Sequence, residues 1–482
     1  MLKNLLALTL GILLWPSWGS SQAVEATLLS QWHDESLPAT TAYDGRYNDV
    51  WGVTINGREI AIIGSTMGVH FFDVTDPSNL VELTSAFVAG RAQGRQIIHR
   101  DFHDYGGYLY LVADEGSAST LQVIDLTDLP NSTTLVYDSN EHFRTAHNVF
   151  IDEDNARLYA FGADYGAKGV AVYSLEDPER PVELASYPAD GNVPYAHDGY
   201  VRDNIAYLNC GSSDGFRIYD LTDPKNPQLI ESMTTYPQQG YNHSGWLDEV
   251  GRYYFMADET WGTDLKVIDV CEEENLEVSK TFDTGSNIST SIPHNLIVKC
   301  NLLYVSYYHE GLQVFDVSDP LNPERIAFYD TFDGPDEATY QGAWGVYPLF
   351  ESGTILISDM NNGLFVFEAL PRDCEAYQAE PCNADTMVTS TQPVFADDGQ
   401  IQLSPQPVRD ELQIQIEFPE LESAVHLEWY DVRGRLLTTE PARLLRGANT
   451  LRSRAPASWA PGLYLLRIRG TGINAVRKVM VE

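Results

Sequence analysis

The sequence lacks a long apolar run and has few basic residues. No stretch approaches the ~20 consecutive apolar residues that a membrane-spanning helix needs, so we predict no transmembrane segment. The 482 residues include 30 Lys and Arg against 69 Asp and Glu, a formal net charge of -39. Because nucleic acids and anionic lipids attract basic surfaces, this balance argues against both as partners. It fits a solvated, self-repelling surface, and it also leaves open the attraction of cations such as calcium.

Cysteine is scarce as well. The five cysteines show no C-x-x-C spacing, which argues against a zinc-cysteine centre. In an exported chain they permit two disulfides and one free thiol. Cys374 and Cys382 flank a short loop, and Cys271 and Cys300 are the other candidates for a pair. Cys210 lies in the apolar run "IAYLNCG" and is expected to be buried and free.

Residues 1–23 have the composition of a secretory signal peptide. The stretch "MLKNLLALTLGILLWPSWGSSQAVEA" has one early lysine, an apolar core of roughly ten residues and then small residues. We expect cleavage near Ala23 and export of a soluble mature protein.

The sequence does contain an internal repeat. Seven segments follow one pattern, among them "GVHFFDVTDPSNLVELTSAF", "GVAVYSLEDPERPVELASY" and "GFRIYDLTDPKNPQLIESM". Each full copy has four short runs rich in β-branched and aromatic residues, separated by turn residues, which predicts four strands. Repeats of about 45 residues with four strands are typical of propeller blades. The sequence therefore predicts an all-β fold, with a seven-bladed β-propeller over residues 24–370.

Two details refine this prediction. The last copy, "GLFVFEALP", lacks a fourth strand, and the stretch "VEATLLSQW" matches fourth strands elsewhere. We therefore expect residues 24–33 to pair with the last blade and close the ring, which removes exposed sheet edges. The recurrent D-x-T-D-P predicts a turn in which Asp caps its own backbone and Pro ends strand pairing.

The repeats resemble a known family. The segments "VIDLTDL", "IYDLTDP" and "VFDVSDP" are similar to LVIVD repeats, and the layout of residues 24–370 resembles that of bacterial choice-of-anchor B proteins. This resemblance implies an exported propeller followed by an anchoring device. It implies no particular biochemical activity.

The composition changes after residue 370. Residues 371–399 are polar without periodicity, which predicts a linker. Residues 400–482 read as alternating strands joined by Gly and Pro turns, which predicts a small β-sandwich. Charge changes too, because this last part has ten Arg and one Lys against nine acidic residues.

Four C-terminal segments, "SPQPVRDELQI", "YDVRGRLL", "PGLYLLRI" and "KVMVE", resemble the type A sorting domain of the type IX secretion system of Bacteroidota. Gln406 stands where Asn is more usual in that domain. The resemblance implies recognition by the type IX secretion machinery and a protein that is secreted or attached to the outer surface. A carbohydrate-binding or spacer sandwich is the alternative.

Histidines recur at the starts of the predicted first strands. They are His103, His147, His197, His243 and His294, at intervals of 44, 50, 46 and 51 residues, with Trp51 and Trp344 in the matching place of the first and last copies. In a propeller these starts face the same side as the turns between second and third strands. We therefore expect one channel mouth to gather the histidines and the side chains of those turns. These are Glu115, Asp164, Asp214, Asp258, Glu259, His309, Glu310 and Asp359.

Three interpretations of the histidines stay open. Each can be a structural peg that bonds backbone or a neighbouring carboxylate. Subsets can bind a transition metal, for which neutral imidazole is the commonest ligand, with Asp104 and Asp198 orienting or joining them. The third interpretation is acid/base catalysis or anion recognition. It would involve the nearby Arg95, Arg100 and Arg144.

No complete catalytic motif accompanies the histidines. The sequence has no G-x-S-x-G, H-E-x-x-H or phosphate-binding glycine loop, so serine and zincin hydrolysis have no support. Loop aromatics can stack on a surface glycan or protein ligand, although aromatics also fill blade interfaces. They are Trp51, Tyr195, Tyr241, Trp261, Tyr340 and Trp344. The sequence favours a binding or scaffolding module and leaves a metal-dependent hydrolase or oxidoreductase as the alternative.

Overall fold

The computed structural model describes residues 23–482 apart from 117–118, 165–167, 189–190, 272–275, 287–288, 336, 378, 380–381, 383–400, 410, 431–435, 455–458, 460, 471–472 and 482. The predicted signal peptide, up to residue 22, and most of the predicted linker lie outside this set. Within it the fold is all-β, with one short α-helix, α1 (Gly211–Asp214), and two 3-10 turns, Thr84–Ala86 and Glu153–Asn155. No helix in the described part is long and apolar enough to cross a membrane. The chain divides into two compact units, residues 1–387 and 388–482.

The described residues of the first unit form seven sheets on one plan, with antiparallel strands that mostly pair in chain order. The unit opens with two short strands, β1 (Val24–Glu25) and β2 (Leu28–Trp32). Sheet 1 contains β3 (Tyr47–Ile55), β4 (Arg58–Ser65), β5 (Gly68–Asp73), β6 (Val81–Glu82) and β7 (Val88–Ala89). Sheet 2 contains β8 (Arg100–Tyr105), β9 (Tyr108–Ala113), β10 (Leu121–Asp125) and β11 (Thr134–Ser139). Sheet 3 contains β12 (Asn148–Asp152), β13 (Arg157–Asp164), β14 (Lys168–Ser174) and β15 (Val182–Pro188).

The next four sheets repeat the plan. Sheet 4 contains β16 (Asp198–Arg202), β17 (Ile205–Asn209), β18 (Phe216–Asp220) and β19 (Gln228–Met233). Sheet 5 contains β20 (Asn242–Leu247), β21 (Tyr253–Asp258), β22 (Leu265–Asp269) and β23 (Val278–Phe282). Sheet 6 contains β24 (Pro293–Lys299), β25 (Leu302–Tyr307), β26 (Gly311–Asp316) and β27 (Glu324–Tyr329), joined by β1. Sheet 7 contains β28 (Ala343–Tyr347), β29 (Ile355–Asp359) and β30 (Gly363–Phe367), joined by β2.

The first strands of these sheets are neighbours in a closed series. Each contacts the first strand of the next sheet, from β3 through β8, β12, β16, β20 and β24 to β28, and β28 contacts β3. The apolar core lies between neighbouring sheets, so the middle strands are buried on both faces. In β4, for example, Ile60, Ile62 and Ile63 have no exposed surface. This explains why middle strands are apolar throughout, whereas outer strands alternate.

The N-terminal segment joins two sheets. β2 pairs antiparallel with β30, with Trp32 opposite Leu364, which confirms the expected completion of the last sheet for Leu28–Trp32. β1 departs from the expectation, because it pairs parallel with β27 of sheet 6. The segment therefore links the last two sheets.

The D-x-T-D-P turns, and the related D-L-T-D-L-P turn at residues 125–130, have the predicted mechanism. The carboxylates of Asp73, Asp125 and Asp220 accept the backbone N–H two residues ahead, at 3.0, 2.8 and 2.8 Å. Each bond satisfies a donor that the strand has left unpaired, and so fixes the turn after a third strand.

The disulfides differ from the pairing suggested by sequence proximity. Cys271 pairs with Cys382 and Cys300 with Cys374, while Cys210 is buried and free. Cys271 follows β22 and Cys300 follows β24, so both bonds tie the start of the predicted linker to the first unit. The backbone N–H of Asp373 and the hydroxyl of Tyr377 add hydrogen bonds to Asn301 and Asp248, at 2.7 and 2.6 Å. The path of this segment, which spacing alone does not reveal, decides the pairing.

The second unit consists of one connected set of strands. They are β31 (Ile401–Ser404), β32 (Glu411–Tyr430), β33 (Leu436–Arg454), β34 (Gly462–Gly470) and β35 (Ile473–Val481). β33 pairs along most of β32, whereas β31 pairs only with its first part and β34 only with its last. Trp429 is fully buried in the core of this unit and donates from Nε1 to Ser453 Oγ at 2.7 Å.

Candidate metal centre at a histidine ring

Five histidines and one tryptophan form a closed ring where six first strands begin. We call this set the histidine ring: His99, His147, His197, His243, His294 and Trp344. Successive ring centroids, in that order and back to His99, lie 4.8, 4.0, 4.6, 4.3, 4.3 and 5.3 Å apart. His99, His147 and His197 directly precede β8, β12 and β16, and the other three are the second residues of β20, β24 and β28. The repeat thus places one aromatic side chain from each of sheets 2 to 7 at the same level.

His103 is not part of the histidine ring. It lies four residues after His99, inside β8, where it packs on Trp51 and Phe150 with centroids 4.5 and 5.3 Å apart. Its Nδ1 lies 3.0 Å from the carbonyl oxygen of Asp104. Trp51 packs with His103 and does not lie in the histidine ring. The sequence predicts that Trp51 and Trp344 occupy matching positions, and this prediction is wrong for Trp51. Its Nε1 donates to Asp104 Oδ1 at 2.7 Å, so Asp104 holds an aromatic residue in place and does not orient a ring histidine.

Most ring imidazoles are held through Nδ1. The pairs are His99 with the carboxylate of Glu115, His147 with Asp114 Oδ2 at 3.1 Å, His197 with the hydroxyls of Tyr195 and Tyr241 at 3.1 and 3.0 Å, and His294 with the carbonyl oxygen of Trp344 at 2.6 Å. A fixed Nδ1 sets the orientation of an imidazole and directs Nε2 away from the partner. The same arrangement is general at metal-ligating histidines.

Three ring imidazoles keep a buried nitrogen that has no hydrogen-bond partner among the described residues. These atoms are His197 Nε2, His243 Nδ1 and His294 Nε2, on residues that are 7%, 3% and 2% exposed. Leaving a buried polar atom unsatisfied costs about 1–3 kcal/mol. A purely structural role, in which each imidazole is satisfied by backbone or carboxylate, does not account for these three atoms.

Burial keeps most of the ring neutral. Burial and the neighbouring imidazoles hold the pKa of His197 and His243 well below the usual value, and burial lowers the pKa of His294 to about 3. His99 is the exception: burial lowers its pKa, but the hydrogen bond and charge of Glu115 outweigh this effect and raise it. Neutral imidazole is the form that binds metal ions.

Carboxylates complete two possible ligand sets. Glu259 Oε1 accepts a hydrogen bond from the hydroxyl of Tyr308 at 2.6 Å. The other carboxylate oxygen, Glu259 Oε2, lies 3.9 Å from His243 Nε2. Burial raises the pKa of Glu259 to about 6. The sets are His99, Asp114 and His147, and His197, His243 and Glu259; within each, the ligand atoms lie within 4.8 Å of one another. Two imidazoles and one carboxylate are the ligands of many zinc and non-haem iron sites that keep open positions.

A cavity of about 60 Å³ lies along the same strands. Its polar lining includes Asp49, Asp101, Asn148, Asp198, Ser244 and Asn295. Burial raises the pKa of Asp198 to about 7, and burial together with the neighbouring Asp49 raises the pKa of Asp101 well above its usual value. Asp198, predicted to assist the histidines, thus lines the cavity, and its Oδ1 accepts the N–H of Gly199 at 2.7 Å.

The other predicted side chains have partners outside the histidine ring. The pairs are Asp164 with Arg144 at 2.6 Å, Asp214 with Arg217 at 3.0 Å, Asp258 with Lys266 at 3.0 Å, His309 with the hydroxyl of Thr339 at 3.1 Å, Glu310 with that of Ser286 at 2.9 Å, and Asp359 with that of Thr331 at 2.8 Å. Arg95 is exposed, and Arg100 is buried and donates to the carbonyl oxygens of Ser65 and Ala92. Recognition of an anion by these arginines has no geometric support.

His99, Asp114, Asp49 and Asp101 were missed by sequence reasoning. His99 lies 48 residues before His147, an interval closer to the other spacings than the 44 residues from His103. Asp114 is the middle residue of the tripeptide A-D-E, and the same tripeptide recurs at residues 257–259, where Glu259 is its last residue. These two signals were available in the sequence.

Comparison with known proteins gives a family for the C-terminal part. Residues 402–482 match the family described as Secretion system C-terminal sorting domain. No curated protein matches the chain.

Three solved structures are similar to the chain at low identity. PorZ of Porphyromonas gingivalis, described as an essential bacterial surface component of the type-IX secretion system, is 13% identical with a TM-score of 0.42, over 93% of this chain and 61% of PorZ. The β-propeller domain of Cps50 (Swd1) from Myceliophteria thermophila is 10% identical with a TM-score of 0.48, over 72% and 100% of the two chains. A Lactobacillus plantarum protein is 11% identical with a TM-score of 0.47, over 84% and 99%. The family match identifies residues 402–482 as a type IX sorting domain, which implies recognition by the type IX secretion machinery and export to the cell surface or secretion.

Proposed function

We propose that the chain is an exported seven-bladed β-propeller that binds a transition metal at the histidine ring. Seven sheets of the described part and the closed series of their first strands support the blade number. The capped D-x-T-D-P turns support the relation to LVIVD repeats and choice-of-anchor B proteins. The pairing of β32 with β31 at one end and β34 at the other supports a small sandwich for the sorting domain.

One observation carries the metal proposal: three buried imidazole nitrogens lack a hydrogen-bond partner in the described part of the chain. One of them, His197 Nε2, belongs to a residue that forms a ligand set with His243 and Glu259, and in that set His243 Nε2 lies 3.9 Å from Glu259 Oε2. A metal ion in this set would accept the lone pair of His197 Nε2 and offset the charge of the buried carboxylate. Imidazole donors favour zinc, iron or copper over calcium, which prefers an all-oxygen site.

The ligand count supports a metal-dependent enzyme as the second candidate. Structural zinc sites use four protein ligands, whereas catalytic sites use three and leave a position for water or substrate. His197, His243 and Glu259 are three. A hydrolase or an oxidoreductase both fit this count.

Aromatic side chains beside the ring support ligand binding at the same face. Tyr308, which bonds Glu259, contacts Tyr340 with centroids 5.7 Å apart, and Tyr340 contacts Trp261 at 5.2 Å. Trp261 is 39% exposed. A surface glycan or a protein side chain is the class of ligand that such rings stack on.

The test is elemental analysis of the mature full-length protein, purified without chelator or affinity histidines. We expect a near-stoichiometric transition metal that disappears in the double variant His197→Ala and His243→Ala. The control is His103→Ala, which removes a buried imidazole outside the histidine ring and should keep the metal. A folded protein that takes up no metal after incubation with Zn²⁺ would overturn the proposal.

A further inference from the structure

Three aromatic side chains that reach solvent meet beside the histidine ring. We call this set the aromatic shelf: Tyr43, Trp261 and Tyr340. Tyr340 lies in the middle, with its ring centroid 5.6 Å from that of Tyr43 and 5.2 Å from that of Trp261. We propose that the aromatic shelf binds an arginine side chain of a basic partner peptide. This inference rests on the ligand-binding part of the proposed function and does not require a bound metal.

The three rings come from separate parts of the chain. Tyr43 lies before β3, Trp261 in the turn between β21 and β22, and Tyr340 before β28. The buried Tyr308 packs on both Tyr340 and the ring member Trp344, with centroids 5.7 and 6.0 Å apart. Rings that fill a blade interface are buried, whereas Trp261 is 39% exposed and the other two shelf rings are half-buried. Exposed apolar surface that several loops bring together is typical of a binding site.

Hydrogen bonds hold the backbone on both sides of the aromatic shelf. Gln341 Nε2 donates to the carbonyl oxygen of Tyr43 at 2.9 Å, which ties the segment before β3 to the residue after Tyr340. The backbone N–H of Gly262, the residue after Trp261, donates to the carbonyl oxygen of Ser291 at 3.0 Å. Because these bonds already fix the loops, a ligand would order little of the chain when it binds.

The surroundings of the aromatic shelf are acidic. Each ring has a carboxylate within three residues in the sequence: Asp44, Asp264 and Glu337. Burial raises the pKa of Tyr340, and the charge of Glu259 adds to this shift, so the charge of Glu259 reaches the shelf as well. The formal net charge of -39 acts in the same direction. Such a field attracts a cationic ligand and repels a phosphate or a carboxylate.

An arginine side chain fits both the rings and the charge. Cations bind over the faces of Trp and Tyr rings, and arginine does so more often than lysine. The guanidinium group is planar and more weakly hydrated than an ammonium group, so it stacks on a ring at a smaller desolvation cost. A neutral sugar would use the rings but would gain nothing from the acidic charge. The two features together therefore favour a basic peptide over a glycan.

The experiment is calorimetric titration of the mature full-length protein with blocked tetra-arginine, with blocked tetralysine and with cellohexaose. We expect tetra-arginine to bind at least ~5-fold more tightly than tetralysine, because the charges are equal and only the stacking differs. Binding should weaken when NaCl is raised from about 20 to about 200 mM, because salt screens the carboxylates.

Variants locate the binding. Trp261→Ala should weaken tetra-arginine binding at least ~5-fold. Trp261→Phe should bind the peptide more tightly than Trp261→Leu, because leucine keeps apolar surface but offers no ring. The matched control is Phe87→Ala, since Phe87 is also 39% exposed but packs on His70, and it should keep the natural affinity.

The outcomes separate the two proposals. Equal affinities for the two peptides that Trp261→Ala leaves unchanged would show attraction by the acidic surface alone and overturn the inference. Binding of cellohexaose that Trp261→Ala abolishes, without binding of tetra-arginine, would also overturn it, but would keep ligand binding at this face. Tetra-arginine binding that persists with EDTA, in a protein that takes up no Zn²⁺, would support the aromatic shelf and overturn the metal proposal. No binding of tetra-arginine to the folded protein would overturn the inference whatever the metal content.

Discussion

Replacing Lys266 by Met should strongly destabilise the first unit. Lys266 Nζ lies 3.0 Å from Asp258 Oδ2, and neither side chain has any exposed surface. The substitution keeps the length of the side chain but leaves the carboxylate buried without its cation. Removing one partner of a buried ion pair costs about 3–5 kcal/mol. For a unit of roughly 350 residues, about 1.4 °C is lost per kcal/mol, so the melting temperature should fall by about 4–7 °C.

The double variant Lys266→Met with Asp258→Asn is the matched control. It removes both charges and retains an oxygen that can accept the N–H of Gly240, now 2.9 Å from Asp258 Oδ2. We expect it to recover at least half of the loss, because the penalty in the single variant comes from an uncompensated charge. Calorimetry of the three proteins measures the effect. The reasoning is refuted if the single variant melts within about 1 °C of the natural protein, or if the double variant is no more stable than the single one.

Two further predictions concern stability. Burial raises the pKa of Asp359 to about 7, although Thr331 and backbone N–H groups oppose this shift. An acid whose pKa is higher in the folded state loses stability as pH rises from about 4 to about 7, by up to about 4 kcal/mol. Asp359→Asn should therefore melt with less difference between pH 5 and pH 8, and an unchanged difference would contradict the assignment. Deleting residues 24–33 removes β1 and β2 and exposes the edges of sheets 6 and 7, so we expect a lower and broader melting transition; an unaltered curve would show that closure by these strands is unimportant.

The repeating sheets were predictable because their signals are local. Apolar middle strands recur in every copy, and Asp-capped turns recur in most of them. The pairing of β2 with β30 was predictable because the last copy lacks a fourth strand and the N-terminal stretch resembles one. β1 was not predictable in the same way, because two residues carry too little pattern to choose between sheets 6 and 7.

The histidine ring was predictable in outline but not at its first member. His99 and His103 lie four residues apart, and only the point where β8 begins decides which of them joins the ring. Turn carboxylates raise a similar difficulty. Asp258 and Glu259 are adjacent in sequence, yet Asp258 pairs with the buried Lys266 whereas Glu259 lies near His243. A short motif around either carboxylate does not include these partners, so the sequence could not tell the two apart.

The Cys271–Cys382 disulfide has a mechanical consequence for a protein held by its C-terminal domain. Tension applied from that end reaches residue 382 before it reaches β30. Strand pairs pulled from one end open one hydrogen bond at a time, whereas a covalent bond does not open in this way. The force therefore passes through Cys271 into the turn after β22. Sheet 7, which depends on the short strand β2 for its outer edge, is shielded from being peeled apart.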